Sequence, residues 1–375
     1  MNPLVTVTGD GTFRAPLDTA QGTVGELEDP VLAALLRLRS LLGDDPEDQI
    51  ATRLYLPSAL GVDDIDHLLP ASLALLTGAS GDLTSYGWRL GPGIGRAWQR
   101  AQDLRDRTLD AARIALLGYQ GPLTVTTMGP ATLAAATYLP SGERTLADRG
   151  AVRDLPMLLA EGIGEHVAAL RERVPGARPH LLLREDAVDA VVAGRIPTPS
   201  GRRRYPAVHG PEVGTLWRCL IAGLASACEL DPEAITLGVG THVTVLRTAR
   251  EIGVRRLAVS PARLPALEST DGRELWEELA AAHDAGCRLE LAVDPRTGGG
   301  MSAVLDRVLE TWQKLGYGPR DAAGFTLIAH TGASHAVRGS RPDPSEQPDR
   351  SSLLDESTIE ALLRAAPAWA ERVES

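Results

Sequence analysis

The sequence predicts an α/β fold, a (β/α)8 TIM-type barrel with a helical elaboration near residues 40–120. Two observations carry this. Short apolar runs alternate with longer amphipathic stretches along most of the 375 residues, the signature of parallel strands joined by helices. The short runs are apolar at successive positions, as in strands covered on both faces. The length exceeds the roughly 250 residues of a plain barrel and leaves room for insertions. An open doubly wound sheet is the structural alternative.

Candidate strands fall at residues 4–8, 123–127, 180–183, 234–237, 257–259, 289–293 and 325–329, with 53–56 or 205–208 as an eighth. The intervening segments read as helices. Leu155, Leu158, Leu159, Ile163, Val167 and Leu170 recur every three or four residues, as do Met301, Val304, Leu305, Val308, Leu309, Trp312 and Leu315. Each set lays one apolar stripe on a helix face. Residues 40–120 carry mostly helical patterns and are expected to cover one barrel end. The barrel is assigned to residues 1–337. Residues 338–352, polar with three prolines, read as a linker too poor in apolar surface to order itself. Residues 353–375 form a final helix that packs Ile359, Leu362, Leu363, Ala366 and Trp369 against the barrel.

A net charge of −11 argues against nucleic-acid binding, which needs a clustered basic surface to release phosphate counterions. Arg202, Arg203 and Arg204 form the one dense basic run and read as a solvated turn. Cys219, Cys228 and Cys287 are an odd, widely spaced set, which predicts no disulfide framework and a reducing, cytoplasmic setting. Cys219 and Cys228 are expected as core thiols. No run is long enough to span a membrane and no secretory leader is visible. Gly91-Pro92-Gly93-Ile94-Gly95 looks like a dinucleotide loop but is rejected, because no strand is expected before it and Pro92 blocks the turn.

Three stretches resemble the cobalamin-independent methionine synthase family, in the short actinobacterial form that holds only the catalytic barrel. These are residues 124–133, ending Gly129-Pro130-Ala131-Thr132-Leu133; the segment around residues 180–198 with its Gly194-Arg195 turn; and Gly9-Asp10-Gly11-Thr12-Phe13 after the first strand. The resemblance implies methyl transfer from a folate to the thiol of homocysteine, with zinc holding the sulfur as thiolate. It also implies where zinc ligands would stand, and this chain departs there. The family's His-x-Cys positions read as Gly238 and Gly240, and its late cysteine as Thr331. Glycine offers no side-chain donor, so no metal or other cofactor is expected.

Function in barrels gathers on the loops after the strands. The pocket candidates are Asp10, Arg184, Glu185, His242, His330 and His335, with Asp186, His209 and Asp294 also near strand ends. Arg184 facing inward would offer a fixed positive charge to a carboxylate or phosphate, or would pair internally with Asp186 or Asp294. Gly298-Gly299-Gly300 before a helix is either an anion cradle or a plain connector. Two functions stay open. One is an enzyme of the S-methyl-transfer class with altered chemistry, whose pocket takes an amino acid or a folate-like ligand. The other is a non-catalytic paralogue that binds a protein partner as a subunit or regulator.

Overall fold

The computed structural model describes residues 3–16, 29–44, 49–294, 300–331 and 352–375. Its strands and helices run in the order β1 (Val5–Gly9), α1 (Pro30–Leu42), β2 (Ile50–Thr52), β3 (Leu54–Leu56), α2 (Leu68–Leu73), β4 (Gly81–Thr84), β5 (Gly87–Leu90) and α3 (Arg96–Ala115). There follow β6 (Gly121–Met128), α4 (Pro130–Ala136), α5 (Arg149–Arg173), β7 (Ala177–Arg184), α6 (Val188–Val192), α7 (Gly210–Cys228), β8 (Ile235–Gly238) and α8 (Val243–Glu251). The last are β9 (Arg256–Val259), α9 (Thr270–Asp284), β10 (Arg288–Val293), α10 (Gly300–Lys314), β11 (Phe325–Ala329) and α11 (Glu356–Glu374).

Parallel pairing runs β2-β1-β11-β10-β9-β8-β7-β6-β3. The two ends of that order, β2 and β3, are separated in the chain by Arg53 alone. They are two halves of one bent strand: β2 pairs with β1, and β3 with β6. The ring therefore closes through a single residue, whose N–H donates to the Val7 carbonyl at 2.9 Å. The first and last strands pair in register, Val5 against Phe325 and Gly9 against Ala329. Of the two candidates for an eighth strand, the one at residues 53–56 forms it. Residues 205–208 do not; the nearest pairing is an isolated antiparallel bridge between Pro197 and Arg204.

Residues 40–120 hold more than helices: they contain β2 and β3 of the barrel and the antiparallel hairpin β4–β5. A strand thus does precede Gly91–Gly95, against the expectation. It belongs to that hairpin, not to a parallel sheet, and the Asp82 carboxylate accepts from Ala97 N at the start of α3. The place a phosphate would take is filled.

Side chains alternate between the barrel interior and the helix layer, as strands require. Leu181, Leu183, Leu237 and Leu289 are buried under helices. Inside the barrel the Glu290 carboxylate, 0% exposed, accepts from Arg53 Nη1 and Nη2 at 3.0 and 2.8 Å, from Arg256 Nη1 at 3.1 Å and from Thr236 Oγ1 at 3.1 Å. His180 Nε2 meets the same Thr236 hydroxyl at 2.9 Å. Burial pushes the Glu290 carboxyl up, and the two guanidiniums more than offset this and hold it below its ordinary value. Burial, reinforced by those same arginines, drives His180 well below the usual imidazole range.

Asp355 caps α11, accepting from Thr358 N at 2.9 Å, and the helix packs on β1 and α1. Trp217, Leu220, Leu224 and Cys228 make the buried stripe of α7. Cys219 lies off that stripe and is exposed, which corrects its expected place in the core. Cys228 and Cys287 are buried. No helix among the described residues is long and apolar enough to cross a membrane.

Candidate functional site

The C-terminal ends of β1, β7 and β11 bring together Asp10, Arg184 and His330. Asp10 follows β1 directly, and its Oδ1 accepts from the Thr12 N–H at 3.0 Å and the Thr12 hydroxyl at 2.8 Å. Its Oδ2 faces two cations or potential cations: His330 Nδ1 at 2.9 Å and Arg184 Nη1 at 3.4 Å. Arg184 also reaches Asp186 through Nε at 3.2 Å and Nη2 at 2.8 Å. Burial works against the Arg184 charge, but Asp186 and Asp10 raise its pKa above the ordinary value. Below them Tyr55 donates to the Thr12 carbonyl at 2.9 Å. Burial, with the Asp10 charge added, raises its phenol well above the usual range.

A carboxylate held against a guanidinium stays ionised and has no hydrogen to give. The His330 Nδ1 therefore donates to Asp10, and in the neutral ring this leaves Nε2 with a lone pair. The His330 side chain keeps 17% of its surface accessible, against 3% for Asp10. The arrangement is a carboxylate-oriented imidazole at the open end of a barrel, able to take and return a proton.

Arg184 enters the interior and pairs with Asp186, as one of the two expectations held; its second carboxylate is Asp10, not Asp294. Glu185, one residue on, points the opposite way. It is 0% exposed and receives Trp217 Nε1 at 2.8 Å, Thr132 N and Oγ1 both at 2.7 Å, and Ala131 N at 3.2 Å. Burial outweighs these bonds and raises its pKa. A Cβ on Gly129 would fall 2.4 Å from the Glu185 carboxyl, so the glycine lets the start of α4 close on this side chain. Glu185 is thus a buried strut between β7, α4 and α7, not a wall of the mouth. The Gly129–Leu133 motif and Glu185 are parts of one structural joint.

His242 is half-buried and caps α8, its Nδ1 accepting from Thr244 N at 3.3 Å. His209 is exposed at the start of α7. His335 lies outside the described residues, as do Gly298 and Gly299.

At the positions that the sequence resemblance would assign to zinc ligands, the described side chains offer no thiolate or imidazole. Gly238 has space, with the nearest atom to a built Cβ at 3.4 Å, but no donor. At Gly240 a Cβ would fall 1.9 Å from the Asp189 carboxylate, which accepts from Thr241 N at 2.8 Å. The Thr331 hydroxyl donates to the Ser352 carbonyl at 2.7 Å. Among the described residues no three His, Cys, Asp or Glu side chains are grouped to hold a metal ion.

Sequence reading missed Thr12, Tyr55 and Asp189 around the mouth, because their roles depend on which strands adjoin. It also missed a separate cavity of about 40 Å³ between β3, β6 and helices α2, α3 and α5, lined by Asp66, His67, Arg105 and His166. His67 and His166 each keep an enclosed Nδ1 without a hydrogen-bond partner among the described residues.

No protein-family model matches the sequence, and no curated protein matches it. Among solved structures, 64 chains match. One is a B12-independent methionine synthase from Shewanella sp. W3-18-1 in complex with selenomethionine, with a TM-score of 0.54, 12% identity, and coverage of 98% of this chain and 99% of that one. Another is a GH5-4 broad specificity endoglucanase from an uncultured bovine rumen ciliate, at a TM-score of 0.38, 12% identity, and coverage of 97% and 96%. At such identities the likeness is one of fold: a (β/α)8 barrel.

Proposed function

We propose that this barrel binds a small amino-acid-like molecule at its C-terminal mouth and acts on it by proton transfer through His330, oriented by Asp10. The observation that carries the reading is the 2.9 Å contact between His330 Nδ1 and the Asp10 carboxylate at the rim. In this reading His330 Nε2 takes a proton from an acidic group of the ligand, and Asp10 stabilises the imidazolium until the proton is returned. Arg184 fixes Asp10 as a carboxylate. Among the described residues no donor set is grouped to activate a thiol on zinc, and in this reading S-methyl transfer of the ordinary kind is altered or lost. The cytoplasm, with its reduced thiols, is the setting this reading supposes.

The experiment is calorimetric titration with methionine, selenomethionine and homocysteine, alongside elemental analysis of the purified protein. Binding of one of these, with hydrogen exchange between the bound molecule and solvent that is lost in Asp10→Asn and His330→Asn, supports the proposal. Bound zinc together with methyl transfer to homocysteine overturns it.

A second reading rests on a different observation. Asp10, Arg184, Asp186 and His330 already engage one another through hydrogen bonds and ion pairs, as they would in a mouth that no longer takes a ligand. The chain would then be a non-catalytic subunit or regulator, and it would co-purify with a protein partner and bind none of the amino acids.

A further inference from the structure

The connection that leaves the mouth after β7 carries Arg202, Arg203 and Arg204, the one place in the chain where three basic residues adjoin. These residues do not sit in a loose turn. Residues 196–205 fold back on themselves: Tyr205 N donates to the Ile196 carbonyl at 2.9 Å and Thr198 N to the Arg203 carbonyl at 2.9 Å. The hairpin is pinned at its base from the α4–α5 connection. Arg144, 5% exposed, donates through Nε to the Pro197 carbonyl at 3.1 Å and through Nη1 to Ala135 at 2.6 Å, with its guanidinium over the Tyr138 ring. The Tyr205 hydroxyl accepts from Arg144 N at 3.0 Å and donates to Glu143.

All three arginines at the tip are exposed. No carboxylate among the described residues pairs with them, although the chain has 49 acidic residues against 38 basic ones. Holding three like charges side by side is unfavourable without a counter-charge. A turn meant only to be solvated would not need a buried guanidinium as its anchor. We infer that this hairpin is a recognition element on the barrel's C-terminal rim for a small polyanion, a ligand bearing several phosphate or carboxylate groups. Guanidinium forks match such groups two bonds at a time. A long polyanion such as a nucleic acid is disfavoured, because the net charge of −11 repels everything beyond the hairpin. This inference stands on the hairpin alone and does not require proton transfer at His330.

Tripolyphosphate and citrate, titrated separately into the intact protein by calorimetry, are the probes. The test variant is the triple Arg202→Gln/Arg203→Gln/Arg204→Gln. The control is Arg178→Gln/Arg288→Gln, which removes two exposed charges on β7 and β10, at the strand ends away from the mouth. Loss of three charge-assisted contacts should weaken at least one probe by about tenfold or more in the triple variant. The control should change little, and circular dichroism should show both variants folded. Equal weakening in the two variants means diffuse charge attraction and overturns the inference. So does the absence of binding by either probe, or binding of oligoglutamate peptide much tighter than both, which would make the rim a docking site for an acidic protein segment.

Discussion

His330 and Asp10 stand 320 positions apart in the chain and 2.9 Å apart at the rim. They meet because the last strand of the barrel pairs with the first. The residue after each strand's end therefore faces the same opening. Asp10 holds the ring by one nitrogen, so the other nitrogen is aimed by the strand geometry and not by a flexible loop.

Asp10→Asn should test the aiming directly. The amide keeps the size of the side chain but lacks the charge that fixes the hydrogen on Nδ1. Removing an orienting carboxylate from such a pair costs orders of magnitude in proton transfer where it has been measured. Turnover of the ligand found by calorimetry should fall far more than its affinity, and His330→Asn should be no worse in combination than alone. Wild-type activity in His330→Asn would remove His330 from the chemistry.

Glu290→Ala should destabilise the fold strongly. It would leave Arg53 buried without its partner, a change that costs about 3–5 kcal/mol in comparable buried pairs. Replacing Glu290 together with Arg53 and Arg256 by apolar residues of similar volume should recover much of that loss. Urea unfolding of the two variants measures the difference.

Gly240→Ala should also destabilise, by about 1–3 kcal/mol, because the new methyl meets the Asp189 carboxylate. Adding Asp189→Gly should relieve it. A pair of variants with equal midpoints in denaturant would show that the loop simply moves aside. For the same reason, a ligand side chain introduced at Gly240 would collide with the Asp189 carboxylate and should not gather zinc.

Stability should fall as the medium is acidified from neutral toward pH 4. Burial pushes His67 and His166 down to about 4 from 6.5. Between those values the unfolded chain takes up protons that the native protein refuses, and each full shift amounts to about 3 kcal/mol lost. His67 keeps an edge toward solvent, so His166 carries the larger share. Asp66 acts in the opposite sense: burial raises it to about 6 from 3.8. The native protein therefore gains a proton before the unfolded chain does, returning about 3 kcal/mol over nearly the same window. From these three groups the net loss should be that of about one histidine, read as the change in urea midpoint between pH 7 and pH 4.5 that His67→Gln, His166→Gln and Asp66→Asn each alter. His166→Gln should flatten or reverse the dependence.

Much of the barrel was legible because fully covered strands leave unbroken apolar runs. All seven clear runs are strands, with ends shifted by a few residues at most. The bent strand around Arg53 was harder to see because each half has three residues and a charge divides them. That charge was itself a clue. Arg53 and Glu290 each sit among apolar strand residues, where an ion persists only if something opposite answers it. The mouth was legible as a list of strand-end residues but not as a geometry. Asp10, Arg184 and His330 were named without their mutual contacts, since those depend on closure. Glu185 was placed on the wrong side of the wall although alternation along β7 puts it opposite Arg184. The neighbouring glycine that admits it carries no chemical signal of its own.

The pairing of Val5 with Phe325 has a consequence for how the chain is made. A ribosome adds roughly 5–20 residues each second, so the opening strand emerges well before its final neighbour exists. During that interval one flank of β1 has unsatisfied amides and carbonyls open to any passing extended segment. Newly made protein should thus be most prone to clump before its tail appears, and shortening the chain ahead of β11 should leave it insoluble rather than merely inactive.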